Sequence, residues 1–123
     1  MKVTVLYPQP LNHEKFDSDY NAHLKLLHEK TGIPTDVKPY SVTRFLSGPE
    51  GKPPFHLMFI MPFESQEQLE KTMSSPGMQE VAADATRIST GGAPTILIGE
   101  TILELDLPKA IEFDKKALEI FKK

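Results

Sequence analysis

The stretch Phe55-His-Leu-Met-Phe-Ile-Met-Pro-Phe63 admits few folds. Its composition and length read as a β-strand, and apart from His56 neither face is polar. A strand apolar on both sides has to be covered on both sides. It belongs to a sheet whose two faces are both buried, and the remaining 114 of 123 residues have to supply the cover.

Residues 2–7 alternate as a first strand, ended by Pro8 and Pro10. An amphipathic helix follows, with Asp17 as the expected N-cap and Thr31-Gly32 as the stop. Residues 36–46 read as a second strand, with Pro39 marking an edge, a bulge or a late start. Turn chemistry over 47–54 leads into the apolar strand. Ser65 caps a helix over 66–73, with Gln68 at capping-box spacing. Ser74-Ser-Pro-Gly77 breaks it before a helix over 78–88. Residues 94–99 form a fourth strand, with weak alternation to Leu105, and Pro108–Lys123 an amphipathic tail helix.

The order β-α-β, then β-α-α-β-α, is the ferredoxin-like split βαβ plan. The fold class expected is α+β: a four-stranded antiparallel sheet with helices on one face. Residues 1–105 form the domain and 106–123 a helical extension of it. The bare face of such a sheet would be apolar here, so a second copy is expected against it, giving a homodimer through the sheet faces.

Composition removes several function classes. The net charge of −3, without a basic cluster, gives nucleic acid no electrostatic footprint. The absence of Cys removes disulfides, zinc-thiolate sites and thiol catalysis. No run of eighteen apolar residues spans a membrane, and the N-terminus lacks signal-peptide features, so the expectation is a cytoplasmic protein.

The oddest residue choice is His23. Phe16, Tyr20, His23 and Leu27 share a narrow arc of the first helix, where a plain core would place Leu or Ile. Two readings stand side by side. His23 is a general acid/base or orienting donor in a pocket between helix and sheet, or it is a packed histidine bonded to a carbonyl or to Tyr20. Tyr7 and Tyr40, on strands, could add hydroxyls to the same cavity or fill core with the hydroxyl toward water. His56, beside Pro54, is placed at a sheet end with a hydrogen bond to a loop, and His13 and His28 at the surface. A metal site from His23 and His56 with Asp17 or Glu64 lacks any recognised ligand spacing. Ser89-Thr-Gly-Gly92 lacks the lysine and the following helix of a phosphate loop, so it reads as a connector.

Several segments together carry a family resemblance: Val5-Leu-Tyr-Pro8 with Phe16-Asp17, Tyr20, His23 and Leu26; Phe55-His-Leu-Met58; Phe63-Glu-Ser65; and Ser89–Pro94. The chain resembles the ethyl tert-butyl ether degradation (EthD) family of the dimeric α+β barrel superfamily. The resemblance implies a ferredoxin-like subunit that pairs into a barrel and, in some members, works with an oxygenase system that degrades ethers. The superfamily includes cofactor-free monooxygenases, isomerases and haem-binding members, with pockets between sheet and helices, where His23 would point. The expected protein is an enzyme or oxygenase-associated auxiliary protein, needing no cofactor and acting on a small apolar ligand. His23 would be its catalytic group, with Tyr7, Tyr20, Tyr40 and His56 around the substrate. The alternative is a non-enzymatic dimeric binding or accessory module. The tail helix departs from the family pattern, since typical members end near the last strand.

Overall fold

The computed structural model describes residues 1–121, with the side chain of Phe121 and the sequence-predicted helix end at Lys122 and Lys123 outside the described residues. Four strands, β1 (Lys2–Pro8), β2 (Ser41–Arg44), β3 (Phe55–Pro62) and β4 (Thr95–Gly99), form one antiparallel sheet in the order β2-β3-β1-β4. The helices are α1 (His13–Thr31), α2 (Gln66–Met73), α3 (Pro76–Ile88) and α4 (Leu107–Phe121). This is the expected α+β ferredoxin-like plan, with the two-sided apolar strand β3 at the sheet interior, next to β1.

Registers sort the strand residues by face. Val3, Val5 and Tyr7 lie opposite Met61, Phe59 and Leu57. Val3, Tyr7, Leu57 and Met61 are buried, and Tyr7 and Leu57 share a core with Phe16, Tyr20, Ala85 and Ile88. A second buried cluster joins Leu27 of α1 to Met78 and Val81 of α3. The alternate residues Thr4, Leu6, Met58, Ile60 and Leu97 fall on the other face, in register across β3, β1 and β4. On that face Leu6, Met58 and Ile60 are part-buried and Leu97 is half exposed.

The contact between α1 and α3 depends on small residues. A Cβ built on Gly77, in the first turn of α3, would overlap the backbone carbonyl oxygen of Lys30 near the end of α1. Ala85, farther along α3, is buried in the shared core. Gly32 ends α1 in the left-handed region at φ 76°, donating its N–H to the His28 carbonyl.

Several boundaries differ from the sequence expectation. The N-cap of α1 is Asn12, whose Oδ1 accepts from the Lys15 N–H at 3.0 Å, so Asp17 lies one turn inside the helix. Ser75 caps α3, with Pro76 in its first turn, so the predicted breaker is only the junction between two helices. Strand β2 covers four residues, its late start following Pro39. Strand β4 stops at Gly99, and residues 100–106 are irregular. The tail helix α4 makes no extended contact with any described strand or helix. Ala117 is buried, while Ile111, Phe113, Leu118 and Ile120 stay exposed.

Because Gly77 is where α3 meets the α1 backbone, Gly77→Ala is expected to lower unfolding stability by about 1–3 kcal/mol. Urea denaturation followed by far-UV circular dichroism measures it.

Candidate functional site

Between the sheet and the helices lies a cavity of about 60 Å³. Its wall combines Val3, Val5 and Tyr7 of β1, Phe59 and Met61 of β3, His23 and Leu27 of α1, and Met78, Val81, Ala82 and Ala85 of α3. Phe63, Met73 and Ile96 complete it. Tyr7 and His23 are the polar side chains of a wall that is otherwise apolar.

His23 is 5% exposed. Its place on the apolar stripe of α1 brings it against α3, where its Nδ1 lies 2.9 Å from Asp84 Oδ2. The other carboxylate oxygen of Asp84 accepts from Arg87 Nε at 2.9 Å. Burial pushes the His23 imidazole below its ordinary range. The Asp84 hydrogen bond and charge oppose that shift and Arg87 adds to it, with a net lowering. Burial alone would raise the Asp84 carboxyl, but its bonds to His23 and Arg87 hold it below the usual carboxylate range. At neutral pH the pair is therefore a neutral imidazole beside a carboxylate. A carboxylate only accepts hydrogen bonds, so Nδ1 carries the proton and Nε2 keeps its lone pair. Nε2, on the opposite edge of the ring, has no hydrogen-bond partner among the described residues.

Tyr7 is 1% exposed and likewise has no hydrogen-bond partner among the described residues. Burial, with the charge of Asp84 adding to it, raises its phenol well above the usual range, so the proton stays on as a hydrogen-bond donor. Tyr20 does not bond His23, in contrast to one of the sequence readings. Its ring lies 5.6 Å from the imidazole and its buried hydroxyl finds no partner. Asp84 is the partner instead. Sequence reasoning missed it because it lies 61 residues away. The signal available was its position three residues after Val81 and one before Ala85, both on the inward side of α3.

Tyr40 and His56 stand outside the cavity wall. The Tyr40 hydroxyl lies 2.8 Å from His28 Nε2, and its ring stacks on Phe59. His28 is buried, not at the surface, with Nδ1 3.1 Å from the Ile33 carbonyl. His56 is the extra residue of β3 where the register shifts, since Tyr7 pairs with Leu57 and Pro8 with Phe55. Its Nε2 lies 3.0 Å from Asp17 Oδ1, and Asp17 Oδ2 lies 3.3 Å from Arg44. His13 is exposed, as expected. No group of three or more His, Asp or Glu among the described residues is arranged to hold a metal ion. No helix among them is long and apolar enough to cross a membrane.

No family model and no curated protein matches the chain. Among solved structures, an EthD family protein from Bacillus halodurans superposes with a TM-score of 0.70 at 29% identity, over 82% of this chain and 97% of that one. The likeness is to the EthD family. An EthD-like protein from Ralstonia eutropha matches over 85% of this chain and 94% of its own at a TM-score of 0.60 and 24% identity. A dimeric ferredoxin-like protein of unknown function from Jannaschia shares the fold at a TM-score of 0.61 and 10% identity, over 81% of this chain and 98% of that one. The likeness thus extends over most of the chain.

Two stability effects follow from the site. The folded state resists protonating His23, whereas the unfolded chain takes that proton near pH ~6.5. The resulting stability is present above that pH and falls on acidification toward the lowered folded value. Urea midpoints are expected to drop between pH 7.5 and pH 5, with a smaller drop in His23→Gln. Tyr20→Phe removes an unpaired buried hydroxyl, and equilibrium unfolding should show no loss of stability and a gain of up to ~1–3 kcal/mol.

Proposed function

We propose that this EthD-like chain is an enzyme that removes a proton from an uncharged, apolar small molecule, with His23 Nε2 as the base. The observation that carries the reading is His23 in the wall of an apolar cavity, its Nδ1 held by Asp84 and its Nε2 without a partner among the described residues. A neutral imidazole is the form able to accept a proton. Tyr7, kept protonated by burial, is the group to donate a hydrogen bond to the oxygen on which negative charge develops. Among the described residues no Lys or Arg lines the cavity, so a carboxylate or phosphate substrate would find no counter-charge from them. The substrate class is then a ketone or phenol with a weakly acidic C–H or O–H.

The cavity is below the ~150 Å³ that holds benzene in an engineered apolar site. Met61, Met73 and Met78 in its wall are the side chains best able to re-pack around a ligand. The ether-degradation name of the neighbours supports an apolar, weakly polar substrate and an oxygenase system that supplies it or takes the product. Tyr20, Tyr40 and His56 support the wall from behind in this reading.

The active form proposed is a homodimer through the sheet faces. Leu6, Met58, Ile60 and Leu97 make that face apolar, and structural neighbours are described as dimeric ferredoxin-like proteins. The exposed tail α4 adds apolar surface beyond the sheet, available to the same pairing.

Hydrogen–deuterium exchange at the α-carbon of 2-tetralone and related apolar ketones, followed by proton NMR in D2O, tests the chemistry without the natural substrate. Wild-type protein should accelerate exchange and His23→Gln should lose about 10²–10⁴-fold. Binding with equal exchange in both proteins would leave a binding module in place of an enzyme. Static light scattering should give about twice the 13.8 kDa chain mass, and Ile60→Lys should return the monomer. A wild-type monomer at micromolar concentration would remove the paired sheets.

A further inference from the structure

His23 does not hold its tautomer by itself. Free neutral imidazole side chains favour the proton on Nε2, the wrong form for a base that must present Nε2 to the cavity. The correction comes from α3. Asp84 spans two environments: one oxygen meets the buried Nδ1 of His23, the other meets Arg87 on the outer side of the helices. Asp84 and Arg87 also line a surface groove between α1 and α3, with Leu26, Lys30, Glu80 and Ala83. Asp84 is 17% exposed at its side chain, and Arg87 is 59% exposed.

We infer that Asp84 is the positioning residue of the site: it fixes His23 as the Nδ1–H tautomer, and Arg87 orients Asp84 from the solvent side. This rests on the reading of His23 as the base, but the tautomer exists whether or not a substrate is turned over. When Nε2 takes the substrate proton, the imidazolium forms beside a carboxylate already in place, and no water has to enter the cavity. Asp84 remains ionised throughout.

The charged and titratable groups around His23 are few. Asp84 and Arg87 face it from α3, and Tyr7 from β1 and Tyr20 from α1 lie beside it without carrying charge at neutral pH. Lys30 and Glu80 pair with each other at 3.1 Å along the outer groove. A change at Asp84 or Arg87 should therefore be read directly by the imidazole.

The experiment is long-range proton–nitrogen correlation NMR on protein carrying 15N-labelled histidine, with the four histidines separated by a His23→Gln control. Wild-type His23 should show the Nδ1–H tautomer above its titration. Asp84→Asn leaves one acceptor oxygen, which Arg87 takes, so the amide N–H donates to Nδ1 and the Nε2–H tautomer should appear. Asp84→Ala removes the carboxylate altogether, and the Nε2–H form should appear there too. Arg87→Gln should move the His23 titration upward by removing the nearby positive charge. An Nε2–H tautomer in the wild type, or an unchanged tautomer in Asp84→Ala, overturns the assignment. If the tautomer shifts as expected but ketone exchange is absent from wild type, the positioning stands and the catalytic reading falls.

Discussion

The close approach of α1 to α3 is the contact on which the rest of the site depends. Two residues with strong opposing demands meet there. His23 is buried where a charged imidazole is disfavoured, and Asp84 is partly buried where a lone carboxylate is disfavoured. Their 2.9 Å bond satisfies both, but only if the helices pack closely. Gly77 lets the start of α3 lie against the Lys30 carbonyl, and Ala85 keeps its later turn small. A larger residue at either place would crowd the packing between the two helices and the sheet. The composition of α3 is thus tied to the chemistry of a residue on another helix.

The apolar strand β3 imposes a second constraint. Leu57, Phe59 and Met61 face the helices and cavity, while Met58 and Ile60 face the bare side of the sheet. Among the described residues, helices cover the first set. The second set sits in register with Leu6 and Leu97, which makes a flat apolar face from three strands. The cavity and the bare apolar face are therefore two sides of the same strands. Burying one side by dimerisation would stiffen the wall of the other.

Much of the fold was legible in the sequence because it rests on local signals. The alternation of β1, the Gly32 stop, the Ser65 cap and the apolar run of β3 each act within a few residues. The strand-helix order then left the split βαβ plan as the economical arrangement. The site was legible only in part. His23 announced itself as a polar residue in an apolar stripe, and Tyr7 as an inward strand residue. Asp84 gave only the weak sign of its spacing from Val81 and Ala85, because a carboxylate near a run of alanines looks like an ordinary polar face. Its role depends on which turn of α1 it meets, and that is decided by helix packing. Asp17 misled in the opposite way. It has the chemistry of an N-cap, but Asn12 occupies that position, and the Asp17 carboxylate turns to His56 and Arg44.

Among the described residues the combination of histidine, aspartate and arginine occurs twice, in two different settings. In both, a buried histidine bonds one oxygen of an aspartate whose carboxylate also meets an arginine. At His56 the ring is packed edge-on between Phe16 and His13, away from the cavity wall, and the pair ties the early turns of α1 to β3 and β2. The aspartate there is 37% exposed, so solvent screens it. At His23 the ring borders empty apolar space, and its aspartate is less than half as exposed. Electrostatic interactions strengthen as water is excluded, so the same three residue types do more in the second setting. The identity of the side chains does not distinguish the two. What distinguishes them is whether the ring borders the apolar cavity.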